Sequence, residues 1–293
     1  MRALLLWLQS LLNESEISKL NCDVSLLAQG PFNLEFFKTI KFTKFQFNNI
    51  ILSTWNDKKL SDALLDKMHL LQSQAGILVV QQDLPNTDFI SNHANIYYQI
   101  LTTLAGLRNV KTKYTLKCRA DESYSNIQLV IKQFKSNVYN DSPNAVGDRY
   151  SCSSKLLCAN IYFRPIEYKA FHISDHFFMG ETSRLLDTFS KLKNYFEDNS
   201  DEFHILNNEC SAEQIIALFY LSTYGYDIKN LLRHQKDKAF CFEITKKYFD
   251  VFDIKVLRPY VIKHNHLKKT ITNLRKVEKG TLVKYISKIE DIL

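Results

Sequence analysis

Residues 114–124 read YTLKCRADESY, and Lys117, Arg119, Asp121 and Glu122 fall within this one short run. Tyr114, Leu116 and Cys118 alternate with Thr115, Lys117 and Arg119, as in an extended strand. Asp121 continues the Lys117–Arg119 face. Two cations and a carboxylate on one face are costly to bury unless an anionic ligand or a partner compensates them. Asp121 with Glu122 offers oxygen ligands suited to a divalent cation. A structural Arg119–Asp121 ion pair at a sheet edge, or a solvated turn, uses the same residues without any ligand. The local sequence leaves these readings open.

A second stretch, FHISDHFFMGE at 171–181, places His172, Asp175 and His176 among apolar residues. Two histidines and a carboxylate can bind zinc or iron, but no distal histidine stands at a supporting spacing. A carboxylate in an apolar neighbourhood has its pKa raised, which suits Asp175 to general-base work or to holding an acceptor. The chain has no G-x-G-x-x-G, no Walker A motif and no G-x-S-x-G, which excludes the motif-bearing dinucleotide-binding, P-loop and α/β-hydrolase classes.

The elements that would position these groups follow from periodicity. NNIILSTW (48–55) is a short apolar run and reads as a buried strand. SDALLDKMHLLQSQA (61–75) reads as a helix with Ser61 as N-cap. GILVVQQD (76–83) reads as a strand. NHANIYYQILTTLAGLRNV (92–110) reads as a helix with Ile96, Ile100, Leu101, Leu104 and Leu107 on one face. KYTLKCRAD (113–121) reads as the third strand. This β-α-β-α-β order predicts a parallel, doubly wound α/β sheet, which binds ligands at the carboxyl ends of its strands. Those ends are Ser53-Thr54-Trp55, Gln81-Gln82-Asp83 and Arg119 to Glu122.

Ser53 and Thr54 supply hydroxyls, and Trp55 supplies either a flat face for a base or sugar or a core plug. Asp83 reads either as a ribose ligand or as a turn residue before Leu84-Pro85. Residues 125–136 look helical, 137–154 form a polar, turn-rich candidate active-site loop, and 155–165 and 169–181 look like strands, the second ending in a turn at Gly180. Residues 1–30 look helical. From 183 the pattern is mostly helical, with a helix start at Ser211 and Glu213 two residues on.

The chain has 293 residues, 45% of them hydrophobic, with only 7 Gly and 5 Pro, enough for a sizeable core without long linkers. Six cysteines without a CxxC pair point to reduced thiols in a cytosolic protein. No run of 18 apolar residues predicts a transmembrane helix, and the apolar start MRALLLWLQSLL reads as an amphipathic helix. The net charge of +7 is uneven: residues 229–293 hold 16 Lys+Arg against 7 Asp+Glu, and the remainder is slightly acidic. A basic end suggests phosphates, a membrane surface or nucleic acid as partners, or simply a solvated helix face.

Taken in order, NIILSTW, VVQQDLPN, NIYYQILTTLAGL, YTLKCRADE, FHISDHFFMGE and AEQIIAL resemble the WavE family of lipopolysaccharide-synthesis proteins, over roughly residues 48–221. The resemblance implies a glycosyltransferase with a GT-A-like (Rossmann-like) fold, a mixed, mainly parallel sheet flanked by helices. The N-terminal helix and the basic tail lie outside the resemblance; the chain reads as a glycosyltransferase domain over 1–228, its core at 48–221, followed by a basic, mainly helical region over 229–293. The resemblance implies a nucleotide-sugar donor beside Ser53, Thr54 and Trp55, with Asp83, Lys117 and Arg119 also on the donor side. Arg119 and Asp121 would stand where GT-A enzymes carry an Asp-x-Asp metal motif. Asp121 with Glu122 would then hold Mn²⁺ or Mg²⁺, although Arg119 occupies the first Asp position.

If no metal binds, Arg119 or Lys117 neutralises the diphosphate instead. Asp175 would be the base in an inverting reaction, or would orient the acceptor in a retaining one. His176 and Glu213 would face a glycan or glycolipid acceptor; the family commonly has Trp at the position of His176. The protein would be cytoplasmic, touching the inner face of the membrane through its basic end, and no nucleic acid is expected. The rival readings are a nucleic-acid or anion binder that uses the basic end and a non-catalytic scaffold.

Overall fold

The computed structural model describes residues 23–32, 47–56, 62–85, 94–140, 155–160, 169–198 and 209–257, with positions 36, 38–40, 166 and 206. The expected N-terminal helix before residue 23, the Ser61 cap, most of the 137–154 loop and the basic tail beyond 257 lie outside the described residues.

Among the described residues, seven strands form one sheet in the order β3-β2-β1-β4-β6-β5-β7. The strands are β1 (Val24–Gln29), β2 (Ile50–Trp55), β3 (Leu78–Gln82), β4 (Tyr114–Arg119), β5 (Leu156–Ala159), β6 (Phe178–Glu181) and β7 (Phe249–Phe252). The helices are α1 (Asp62–Ala75), α2 (Ala94–Leu107), α3 (Ile127–Asn140), α4 (Thr182–Glu197), α5 (Ala212–Ser222), α6 (Ile228–Arg233) and α7 (Lys238–Tyr248). Only β6 runs against the others, pairing antiparallel with both β4 and β5. The expected class, a mixed and mainly parallel α/β sheet flanked by helices, is the one observed.

The helices cover both faces. Met68 and Leu71 of α1 and Ile127, Val130 and Phe134 of α3 pack on one face with Leu26, Leu116 and Cys118. Ile100 and Leu104 of α2, Phe189 of α4 and Ile216 of α5 pack on the other with Leu27 and Ile51. Strands buried on both faces carry near-continuous apolar runs, as β1 and β2 do. The expected apolar face of α2 is real: Ile96, Ile100, Leu104 and Leu107 are all buried.

Expectations fail at β1 and around Gly180. Val24–Gln29 is a strand, not a helix: the apolar run between Asp23 and Gly30 is too short for a stable helix and pairs with β2 and β4 along its length. Gly30 leaves that strand at φ +115°, a region only glycine enters without strain. Gly180 is no turn; it sits within β6 opposite Thr115. The preceding residues 172–177 form no strand and enter through Phe171 at φ 54°, which is costly for an aromatic residue. The C-terminal region expected as mainly helical also contributes β7, parallel to β5 at the sheet edge.

The strand missed in the sequence decides where the site lies. The chain runs outward through β1, β2 and β3, then returns to place β4 on the other side of β1. The crevice at the carboxyl ends of β1 and β4 is therefore the switch point at which open α/β sheets bind ligands. Because β6 is antiparallel, it begins at this same end, with Phe178 opposite Lys117. The segment 172–177 is thereby delivered over the charged end of β4.

Candidate functional site

Lys117, Arg119, Asp121, Glu122, Asp175 and His176 converge at this crevice. Arg119 grips Asp121 with a two-bond fork, Nε to Oδ1 at 2.8 Å and Nη2 to Oδ2 at 2.8 Å. Its Nε also lies 3.8 Å from Glu122 Oε1. Glu122 is engaged at both oxygens, Oε1 with His176 Nδ1 at 2.8 Å and Oε2 with the hydroxyl of Tyr124. His176 Nε2 stands 3.7 Å from Asp175 Oδ1. Lys117 is fully buried; its ammonium donates to the backbone carbonyl of Asp175 and lies 5.2 Å from the centre of the Phe178 ring.

The electrostatics follow from this packing. Burial pushes the Lys117 ammonium down to about 8, offset in part by Asp175. Burial opposes the Arg119 charge as well, but the hydrogen bond and charge of Asp121 outweigh it and raise the pKa. His176 is likewise opposed by burial and raised on balance by Glu122 and Asp175. For Asp175, burial alone would raise the carboxyl, as the sequence suggested. His176, Lys117 and Arg119 reverse the sign, and its pKa is lowered. The expected raised carboxylate is thus corrected to an ionised one, because neighbouring His176 and, from far along the chain, Lys117 and Arg119 gather around it.

The cluster has an inside and an outside. Solvent reaches 18% of the Arg119 side chain and 14% of His176, but 6% of Asp121 and 1% of Glu122. Asp175 is intermediate at 10%. Arg119 and His176 are therefore the members most open to solvent, while Lys117, Asp121 and Glu122 lie deeper. Asp175 Oδ1 is buried and accepts no hydrogen bond among the described residues; Gln29 Oε1, Ser125 Oγ and Ser174 Oγ are in the same condition near this end of the sheet.

A divalent cation does not fit this arrangement. Mn²⁺ and Mg²⁺ need several carboxylate or carbonyl oxygens with free lone pairs. Both Asp121 oxygens are held by Arg119, and both Glu122 oxygens by Tyr124 and His176. No cluster of three or more acidic, His or Cys side chains suited to a metal occurs among the described residues.

The other expected residues are placed as follows. Ser53 Oγ donates to the Thr102 carbonyl of α2 at 2.6 Å, and Thr54 is buried. Trp55 packs edge-on to Tyr98, ring centres 5.3 Å apart. Asp83 is near the surface and accepts from Asn56 at 3.0 Å. Glu213, in the first turn of α5, lies 3.6 Å from His172 Nε2 and outside the main cluster. Sequence reasoning missed Gln29, Gln99 and Tyr124. Gln99 Nε2 lies 3.5 Å from the Asp175 carbonyl, and Gln29 donates to Thr102 at 2.9 Å. The short run ending at Gly30 was the signal available for Gln29.

The family model described as WavE lipopolysaccharide synthesis matches residues 39–268, most of the chain and every member of the cluster. The chain belongs to the WavE family. No curated protein sequence matches it. Solved structures with some similarity include residues 1–349 of TarS from S. aureus, at 10% identity and TM-score 0.35, covering 67% of this chain. This chain spans about half of that one, 54%. Another is a protein from Bacillus anthracis assigned as a glucose-1-phosphate thymidylyltransferase, in complex with a sucrose, at 11% identity and TM-score 0.40, covering 88% of this chain and 96% of that one. No helix among the described residues of this WavE protein is long and apolar enough to cross a membrane.

Proposed function

We propose that this WavE protein is a GT-A-like glycosyltransferase that moves a sugar from a nucleotide-sugar to a glycan or glycolipid acceptor in lipopolysaccharide synthesis. The observation that carries the reading is the cluster at the β1/β4 switch point. It presents cations toward the crevice beside an ionised carboxylate, Asp175, whose Oδ1 accepts no hydrogen bond among the described residues. An inverting sugar transfer uses both: a positive surface for the diphosphate that leaves and a base for the hydroxyl that attacks.

In an inverting displacement the acceptor oxygen attacks the anomeric carbon and its proton passes to the Asp175 carboxylate. The bond from that carbon to the diphosphate breaks, and the leaving group keeps the electron pair. His176, 3.7 Å from Oδ1, orients the carboxylate and takes the place of the family's usual Trp. Lys117 acts from beneath, fixing the Asp175 backbone. Trp55 and Asp83 close the donor side at the ends of β2 and β3. The basic C-terminal tail is assigned to an anionic membrane face or a lipid-linked acceptor; its residues beyond 257 lie outside the described ones.

A thermal-shift panel of UDP-, GDP- and CMP-linked sugars tests the reading, since a ligand bound only by the folded state raises Tm by mass action. One class should shift the transition, and Asp175→Asn should keep that shift while losing transfer. No shift with any of them overturns the proposal.

A further inference from the structure

The misfit of a metal ion points to a different way of holding the donor. GT-A sites described by the Asp-x-Asp pattern use two acids to bind a cation that bridges the diphosphate. Here the first of those positions is Arg119, and its guanidinium already lies where a cation would contact Asp121, holding both carboxylate oxygens at 2.8 Å. A divalent ion would have to displace that fork and would then sit beside an additional positive charge. Glu122 offers no substitute, being almost entirely enclosed with Tyr124 and His176 on its two oxygens.

Arg119 itself is not exhausted by the pair. Its fork uses Nε and Nη2, so the remaining terminal nitrogen, Nη1, makes no hydrogen bond to Asp121 or Glu122. Its side chain is also more open to solvent than those of Asp121, Glu122, Asp175 or His176. A guanidinium held by a carboxylate on one edge and open on another is preorganised for phosphate oxygens. His176 is the next most open member and lies on the same Glu122 carboxylate. Lys117 is excluded from this role by its complete burial.

We infer that Arg119, flanked by His176, is the cation that meets the donor's diphosphate, and that this contact needs no divalent metal ion. The inference rests on the glycosyltransferase reading above and specifies how its donor site works. Asp121 then aims the guanidinium, and Glu122 holds His176 in place.

Calorimetric titration of the full chain with UDP, GDP, ADP and dTDP, each in EDTA and in excess Mn²⁺ or Mg²⁺, tests it. One of these nucleotides should bind with the same affinity in EDTA and in metal. Arg119→Lys should weaken that binding about tenfold or more, because the fork is lost while a positive charge remains beside Asp121. Arg119→Ala should weaken it further; if that variant fails to fold by circular dichroism, Arg119→Lys carries the test. Binding that requires the metal overturns this inference and leaves the transferase reading standing. Metal-free binding that survives Arg119→Lys at full affinity overturns it too. Absence of binding to all four under both conditions overturns this inference, and if no CMP-linked sugar shifts the thermal transition either, the transferase reading on which it rests falls too.

Discussion

Lys117→Met is the substitution whose outcome the structure constrains most tightly. Lys117 is wholly enclosed between the sheet and the helices, and Met matches the length and apolar character of its stem. Burial carries its pKa from the ordinary 10.5 down to about 8. The difference corresponds to about 3 kcal/mol by which the folded state disfavours the charged form at neutral pH, since one pKa unit is worth about 1.4 kcal/mol. A folded pKa below the unfolded one means that the unfolded chain binds more protons between about pH 8 and 10.5. The wild type therefore gains stability relative to the variant as pH rises through that window, and not below it.

From pH 8 to 9.5 the wild type should gain about 2 kcal/mol on the variant. At pH 7 the variant should equal or exceed the wild type, because it loses the bond to the Asp175 carbonyl but also loses the buried charge. Urea unfolding of both proteins at several pH values measures the difference, in which the buried thiols common to both cancel. Parallel stability curves from pH 7 to 9.5 would refute the reasoning. A variant as stable as the wild type but impaired in transfer would show that the ammonium is kept for the site and not for the fold.

Gly106→Ala in α2 should destabilise by about 1–2 kcal/mol, although alanine favours helices: a Cβ there meets Leu27 Cδ1 at 2.2 Å and Ser53 Cβ at 3.0 Å. A rise in Tm would contradict that packing. Ser211→Ala should cost about 1 kcal/mol in urea unfolding, because it removes half of the Ser211/Gln214 capping box of α5. His176→Gln should cost most below about pH 6.5, where His176 is charged whether folded or not, and progressively less as pH rises through its raised folded value. An equal loss at pH 5.5 and pH 8.5 would rule out the charged His176–Glu122 contact.

Local pattern and tertiary contact divide what the sequence discloses. From β2 to β4 the elements are legible, because each apolar run has the length and period of the element it forms. β1 was within reach on the same grounds, yet it lies next to a long apolar start and was absorbed into a helix; with it went the true neighbour of β4. The Arg119–Asp121 pair was legible as one alternative, being two residues apart. The sign of the Asp175 shift was not: His176 next to it lowers the pKa most, but Lys117 and Arg119, more than fifty residues away, add to it. One partner of Glu122 hides through distance: His176 comes from a segment that the reversed direction of β6 brings back over β4.

That segment has no ladder of its own, and what fixes it is polar. The Ala170 carbonyl accepts from Gln214 of α5 at 2.8 Å, and His172 faces Glu213 one residue earlier in the same helix. The Asp175 carbonyl accepts from Lys117 of β4, and His176 from the same stretch binds Glu122 just past β4. Residues 170–176 are thus strung between the cap of one helix and the charged end of one strand. Apolar packing alone would have tolerated a range of positions for Asp175; a charge held on each side does not. The cost appears where the fold is least comfortable, in a fully buried lysine and in Phe171 at positive φ. Lys117 donates to the backbone carbonyl of Asp175, whose buried Oδ1 accepts no hydrogen bond among the described residues, and Phe171 lies four residues before it in the chain. A buried charge and a residue at positive φ within or against one short segment cost stability, and such costs are expected where geometry matters to a site.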